Sequence, residues 1–291
     1  MITSISGKTK VVGIFGCPVE HSFSPAMHNN AFNHLGLDYV YVPFLVKPEN
    51  LAAAVAGIRA QNLAGVNVTI PHKGAVIDFL DELAPEAKLI GAVNTIVNRE
   101  GVLKGYNTDA PGFIKSLEHG TGLSPRGKKI LLVGAGGAAR AISIQLALAG
   151  ASEIIFATPI PQEVESLRPA ITGSTNTTVG EIPWNENDIS GALGGTDILI
   201  NATPLGMYPN IADMPPVRLA ALRKDALVCD LIYNPAETIL LRKARECGLA
   251  TLNGMGMLLY QGAIAFELWT GVKPPLSVMK NALHSALNIP K

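Results

Sequence analysis

The residues best suited to chemistry in this chain are a lysine and an aspartate that stand among hydroxyls and amides. Lys73 closes the stretch Asn-Val-Thr-Ile-Pro-His-Lys, which also holds Thr69, and Asp109 lies in Gly-Tyr-Asn-Thr-Asp-Ala-Pro-Gly. Ser22 and Ser24 flank Phe23 in His-Ser-Phe-Ser-Pro, and Asn94 sits in the apolar run Ala-Val-Asn-Thr. A carboxylate near a lysine favours the protonated amine. Such an amine can give its proton to a carbonyl oxygen or, when neutral, take one from a hydroxyl. Serine hydroxyls donate to carboxylates and amides bridge ring hydroxyls, so the set suits a small polyhydroxylated carboxylate. Plainer roles stand beside these: Ser24 before Pro25 as a helix cap, Lys73 as a solvent-facing lysine, Asp109 as a turn former. Asn94 is harder to dismiss, because a buried amide needs partners. His21, His28 and His72 have no carboxylate or cysteine at ligand spacing, so structural hydrogen bonding is expected of them and no metal.

A second constellation is a phosphate-binding turn. The apolar run Ile130–Val133 leads directly into Gly134-Ala135-Gly136-Gly137-Ala138-Ala139 and then a helical pattern. The small residues Gly134, Gly136 and Ala139 have the GxGxxA spacing. They allow a tight turn, a close approach of pyrophosphate to the backbone, and close packing of helix on strand. The helix start then offers free N–H groups to the phosphates. About 20 residues on, an acidic residue would read a ribose hydroxyl and an arginine would hold a 2′-phosphate. Phe156-Ala157-Thr158-Pro159-Ile160 has neither. Arg140 and Arg168 are the nearest cations in sequence, and Thr158 can only hydrogen-bond a ribose. The expected cofactor is therefore NAD, with use of NADP as well left open.

These residues need strands to hold them, and the pattern supplies them. Short apolar runs at Lys10–Gly16, Tyr39–Val46 and Gly65–Ile70 alternate with helical stretches at 26–35, 48–60 and 73–83. Two further strands, 92–98 and 102–106, flank a turn at Glu100-Gly101 and read as a hairpin. After Gly120–Lys129 a second set of strands begins at Ile130. It continues at Glu153–Ala157, Gly195–Ala202, Leu227–Ile232 and Ala250–Leu252. The expected fold is α/β with two open domains: a mostly parallel N-terminal sheet with one antiparallel strand, and a C-terminal Rossmann domain. The helices after Gly254 should return to the first domain. The expected division is 1–109 plus 254–291 for the substrate side and 110–253 for the dinucleotide side.

Composition agrees with this reading. The 291 residues are enough for about two domains. With 48% apolar and 16% charged residues the chain is no disordered polymer. Lys+Arg and Asp+Glu are both 23, and the resulting zero net charge argues against a broad basic face for nucleic acid or membrane. Cys17, Cys229 and Cys247 form no CxxC pair, and the polar first residues lack the apolar core of a signal peptide. A cytoplasmic protein with a small-molecule hydroxy-carboxylate partner is expected. A homodimer is compatible with the sequence, which does not fix the assembly.

Together the motifs identify a resemblance. GCPVEHSFSPAMHN, GVNVTIPHK, GAVNTIV, GYNTDAPG, VGAGGAARA, INATPLGM, DLIYNP and NGMGMLLYQGAIAFELWTG occur in order over nearly the whole chain, which resembles the shikimate/quinate dehydrogenase family. The resemblance implies reversible oxidation of shikimate to 3-dehydroshikimate, or of a relative such as quinate or an aminated analogue, with hydride passing to nicotinamide. It implies that Lys73 and Asp109 are the catalytic pair and that Ser22 and Ser24 hold the substrate carboxylate. Thr69, Asn94 and Gln261 would bond ring hydroxyls, and Tyr233 would lie near carboxylate and nicotinamide. Gly134 to Ala138, Ala157 to Pro159, Thr203, Leu231 and Gly254 would line the dinucleotide. The Asn-Arg pair usual in NADP-using members is missing at Ala157-Thr158-Pro159, and Phe23 replaces a lysine common in biosynthetic members. The first departure points away from NADP, and both point to a catabolic or side-pathway role. A dinucleotide-binding regulator without catalysis is the reading from another class, and the intact Lys73 and Asp109 argue against it.

Overall fold

A computed structural model describes residues 5–287. The chain divides into two compact units, Met1–Thr108 with Leu259–Lys291, and Asp109–Leu258.

The first unit begins with β1 (Lys10–Gly16), α1 (Ser24–Leu35), β2 (Tyr39–Leu45), α2 (Leu51–Ala60) and β3 (Gly65–Val68). It continues with β4 (Glu82–Leu83), α3 (Pro85–Ile90), β5 (Thr95–Arg99) and β6 (Val102–Tyr106). The strand order is β2-β1-β3-β5-β6-β4. β5 is antiparallel to both β3 and β6, while the other pairings are parallel, so the expected single reversed strand is present. The strands β1 and β3 are almost entirely buried, as central strands covered on both faces must be. A core of Val55, Ile58, Val66, Val76, Ile96 and Leu103 packs on one face of the sheet.

One local expectation is corrected here, and one plainer role is excluded. Residues 73–83 do not form a helix: Ala75–Phe79 is one short 3-10 turn, and β4 follows. Asp81 accounts for the change of course. Its carboxylate accepts from the Leu103 N–H and pairs with Arg59, both at 2.7 Å, which draws the chain onto the sheet edge. Ser24 is not a cap, because it is the first helical residue of α1, and Phe23 stands at the N-cap with no side-chain bond.

The second unit opens with α4 (Asp109–Thr121), β7 (Lys129–Val133), α5 (Gly137–Leu148), β8 (Glu153–Ala157), α6 (Pro161–Thr172) and β9 (Thr178–Ile182). It closes with α7 (Glu186–Ala192), β10 (Ile198–Asn201), β11 (Leu227–Asp230), α8 (Ile239–Glu246) and β12 (Ala250–Leu252). All pairings in its sheet are parallel, in the order β12-β11-β10-β7-β8-β9. This is the doubly wound order, with its switch point between β7 and β10. Leu131, Val133, Leu199, Val228, Leu240 and Leu241 anchor its core.

The unit ends inside α9 (Met255–Thr270), and α10 (Leu276–Ala286) follows in the first unit. There the Trp269 Nε1–H donates to the Ile96 carbonyl of β5 at 3.0 Å and α10 packs on α1. Among the described residues no helix is long and apolar enough to cross a membrane.

Candidate active site

In the first unit, the loops that leave the carboxyl ends of the parallel neighbours β1 and β3 run side by side. The Thr69 N–H donates to the Phe15 carbonyl at 2.9 Å, and the Cys17 N–H to the Ile70 carbonyl at 3.1 Å. One loop carries Ser22 and Ser24, the other Thr69 and Lys73. The Ser24 N–H donates to Ser22 Oγ at 3.3 Å, so the two serines form one local turn. The Lys73 carbonyl accepts from the Val93 N–H at 2.8 Å, which sets Lys73 beside the residue preceding Asn94. Gln261, on α9, is buried.

Asn94 meets the expectation that a buried amide must be satisfied. Its Oδ1 accepts from the Thr108 N–H at 2.7 Å, and its Nδ2 donates to Thr108 Oγ1 at 3.0 Å. Behind it runs a buried polar chain to which the motifs assign no role. The Tyr41 hydroxyl donates to Asn67 Oδ1 at 2.7 Å, and Asn67 Nδ2 donates to Thr95 Oγ1 at 3.0 Å and to the Asn94 carbonyl at 3.1 Å. The available signal is Asn67 itself, a polar residue in the otherwise apolar strand Gly-Val-Asn-Val.

Of the three histidines, His72 behaves as expected: its Nε2 lies 2.7 Å from the Val46 carbonyl. His28 does not. It is fully buried, and neither ring nitrogen has a hydrogen-bond partner among the described residues. It stacks on Tyr41 instead, with centroids 4.6 Å apart and rings 6° from parallel.

In the second unit, the glycine turn lies at the end of β7. Gly134 has φ +99°, a conformation that disfavours side chains, and a Cβ there would come within 2.9 Å of Thr203 Cγ2. Gly136, Gly137 and Ala138 are exposed while Ala139 is buried, so the outer face of the turn is open and the third small residue packs inward. The first turn of α5 has no side-chain cap, which leaves its N–H groups for a ligand. This cradle fits a dinucleotide pyrophosphate. Beyond β8, Ala157 and Thr158 are buried, and Thr158 Oγ1 accepts from the Ile160 N–H at 3.1 Å. A cavity of about 340 Å³ beside this loop is lined by Thr158, Pro159, Pro161, Glu181 and Trp184 among others. Arg168 is engaged by the Val179 carbonyl and by Glu181, whereas the Arg140 guanidinium on α5 lies 3.5 Å from Ser166 Oγ of α6.

Gly254 closes against the loop after β11. Its N–H donates to the Ile232 carbonyl at 3.0 Å, and a Cβ would lie only 1.9 Å from the Leu231 oxygen. Asp109 is the first residue of α4. Burial, and after it the Asp109 carboxylate, raises the Tyr233 phenol above its ordinary range.

Residues 14–96 match the family model described as the shikimate dehydrogenase substrate binding domain. Residues 254–284 match the shikimate 5′-dehydrogenase C-terminal domain. A shikimate dehydrogenase (NADP(+)) of Desulforamulus reducens is 52% identical over 280 residues, 96% of either chain. The chain belongs to the shikimate/quinate dehydrogenase family. Among solved structures of this family, a shikimate dehydrogenase in complex with NADP+ has a TM-score of 0.90 and 47% identity, covering 99% of this chain and 98% of that one. The shikimate 5-dehydrogenase of Listeria monocytogenes, in complex with shikimate and NAD, has a TM-score of 0.91 and 40% identity, covering 95% and 97%. These relatives do not support the expected leaning to NAD: the first is named for NADP(+), while the Listeria monocytogenes structure holds NAD. That expectation rested on the five residues Phe156 to Ile160, and a 2′-phosphate can also be met by a guanidinium from another element.

Proposed function

We propose that this chain catalyses the reversible oxidation of shikimate to 3-dehydroshikimate with NADP. The observation that carries the proposal is the joint presence of two things in a chain 52% identical to a shikimate dehydrogenase (NADP(+)). One is the set Ser22, Ser24, Thr69, Lys73, Asn94 and Gln261 on the first unit; the other is an open phosphate turn on the second.

In this reading the first unit takes the substrate and the second the dinucleotide. Ser22 and Ser24 donate to the substrate carboxylate. Thr69, Asn94 and Gln261 bond its ring hydroxyls, and Asn94 is pre-oriented for this by its two bonds to Thr108. The α5 amino end and the Gly134–Ala138 turn hold the pyrophosphate, while Thr203, Leu231 and Gly254 line the nicotinamide end. Bound nicotinamide supplies the hydride acceptor. Lys73 takes the hydroxyl proton during oxidation and returns it during reduction, and Asp109 is the second member of the catalytic pair. Tyr233, beside Asp109 and held as a neutral phenol, can donate to a carboxylate.

Lys73→Ala tests the assignment. Turnover should fall ~10²–10⁴-fold, with shikimate affinity by calorimetry changed far less. Near wild-type turnover at saturating substrate would refute it.

A further inference from the structure

Two strand ends in the second unit carry a buried polar cluster that neither the phosphate turn nor the proton-handling pair explains. Asn201 ends β10 and Asp230 ends β11, and the two are partners in register. Both are buried. The Asp230 carboxylate accepts three hydrogen bonds. Oδ1 accepts from Asn201 Nδ2 and from the Ile232 N–H, both at 3.1 Å, and Oδ2 accepts from the Thr238 hydroxyl at 2.7 Å. Asn201 passes the constraint to the next loop: its Oδ1 accepts from the Thr203 N–H at 3.0 Å and hydroxyl at 2.7 Å, and its Nδ2 donates to the Leu205 carbonyl at 3.3 Å. Thr238 is the N-cap of α8 and accepts from the Leu241 N–H.

All three donors to Asp230 are neutral. A buried carboxylate without a cation is costly, and burial raises Asp230 above the usual carboxylate range while the three hydrogen bonds work against it. An amide of the same shape would turn an NH₂ toward Thr238 or toward the two N–H donors, so at least one of these bonds must reverse or break. What the carboxylate controls lies next in the chain. The Leu231 N–H donates to the Asn201 carbonyl at 3.0 Å, Ile232 is held by Asp230 itself, and Gly254 flanks both residues at contact distance. The backbone of Leu231 and Ile232 is thus pinned on two sides, and Tyr233 follows directly.

We propose that Asp230 is a positioning residue whose carboxylate, shared among Asn201, Ile232 and Thr238, fixes the two loops that line the nicotinamide half of the dinucleotide. This rests on the dehydrogenase reading above. Misplacing reacting groups by about 1 Å can cost ~10²-fold in rate, so loosening these loops should act on hydride geometry before it acts on shikimate.

The test uses full-length wild type, Asp230→Asn and Thr238→Val. It follows NADPH fluorescence without substrate, then kcat and KM for shikimate, and the deuterium isotope effect with shikimate labelled at the oxidised carbon. Asp230→Asn should weaken NADPH about tenfold, lower kcat by ~10–10²-fold and increase the isotope effect, while KM for shikimate moves less than about threefold. Thr238→Val, which keeps the carboxylate and removes one donor together with the α8 cap, should weaken NADPH in the same direction by about threefold. A folded Asp230→Asn with wild-type NADPH affinity and isotope effect overturns the proposal, since a merely structural role lowers Tm and the active fraction alone. Should that variant not fold, wild-type NADPH affinity in Thr238→Val overturns it instead. Wild type that binds NADPH yet turns over no shikimate refutes the dehydrogenase reading, and the NADPH titrations then decide the role of Asp230 by themselves.

Discussion

His28 should make the stability of this protein fall with pH in a window where few other side chains titrate. It lies on α1 in a cage of Tyr41, Phe32, Phe266 and Trp269, and neither ring nitrogen has a hydrogen-bond partner among the described residues. Burial pushes its pKa from 6.5 down to about 3. The folded pKa is therefore below the unfolded one, and folding requires the neutral ring. The stability contribution is fully present above about pH 6.5 and is lost progressively as pH falls toward 3. Each pH unit below 6.5 costs about 1.4 kcal/mol. Going from about pH 7.5 to about pH 5 thus removes about 2 kcal/mol through this one residue. His28→Leu keeps an apolar side chain of similar size and removes the titration, while other groups titrate in both proteins. Urea unfolding at the two pH values measures the difference directly. Wild type should lose about 2 kcal/mol more than the variant between them. Equal losses would refute the buried, neutral ring.

Arg140 is the guanidinium on the phosphate-turn helix that reaches toward α6, and Arg140→Ala should raise KM for NADP about tenfold while leaving KM for NAD within about twofold. Equal effects on both dinucleotides would exclude a contact to the 2′-phosphate. Gly254→Ala places a Cβ 1.9 Å from the Leu231 oxygen, so the loop must shift. A stability loss of ~1–3 kcal/mol by chemical unfolding and weaker NADPH binding are expected, and unchanged NADPH affinity would show that the loop does not line the site.

Much of this molecule is legible in its residues because the relevant physics is local. A fully apolar strand followed by small residues and a helix, as at Ile130–Leu148, admits few structures other than the strand–turn–helix seen in β7 and α5. Ordered motifs likewise tied Ser22, Thr69 and Lys73 to strand ends. The failures share a cause: the deciding partner is distant in sequence. The stretch 73–83 has helical periodicity, yet Arg59 and Leu103 draw Asp81 to the sheet. His28 has the chemistry of a hydrogen-bonding residue, yet rings from α1, β2 and α9 enclose it. Asp230 stands in a motif, yet its role is not legible there, because Asn201 and Thr238 meet it only in the fold. The leaning to NAD lacks support for a related reason, since a single loop stood for every contact to the ribose.

The most direct test of the central claim is kcat/KM for shikimate and quinate, each with NADP and with NAD, on the purified full-length chain. Shikimate with NADP should exceed the other three combinations by tenfold or more, on the order of one charge-assisted or hydroxyl-specific contact. Turnover of quinate above shikimate, or of neither substrate with either dinucleotide, would contradict it.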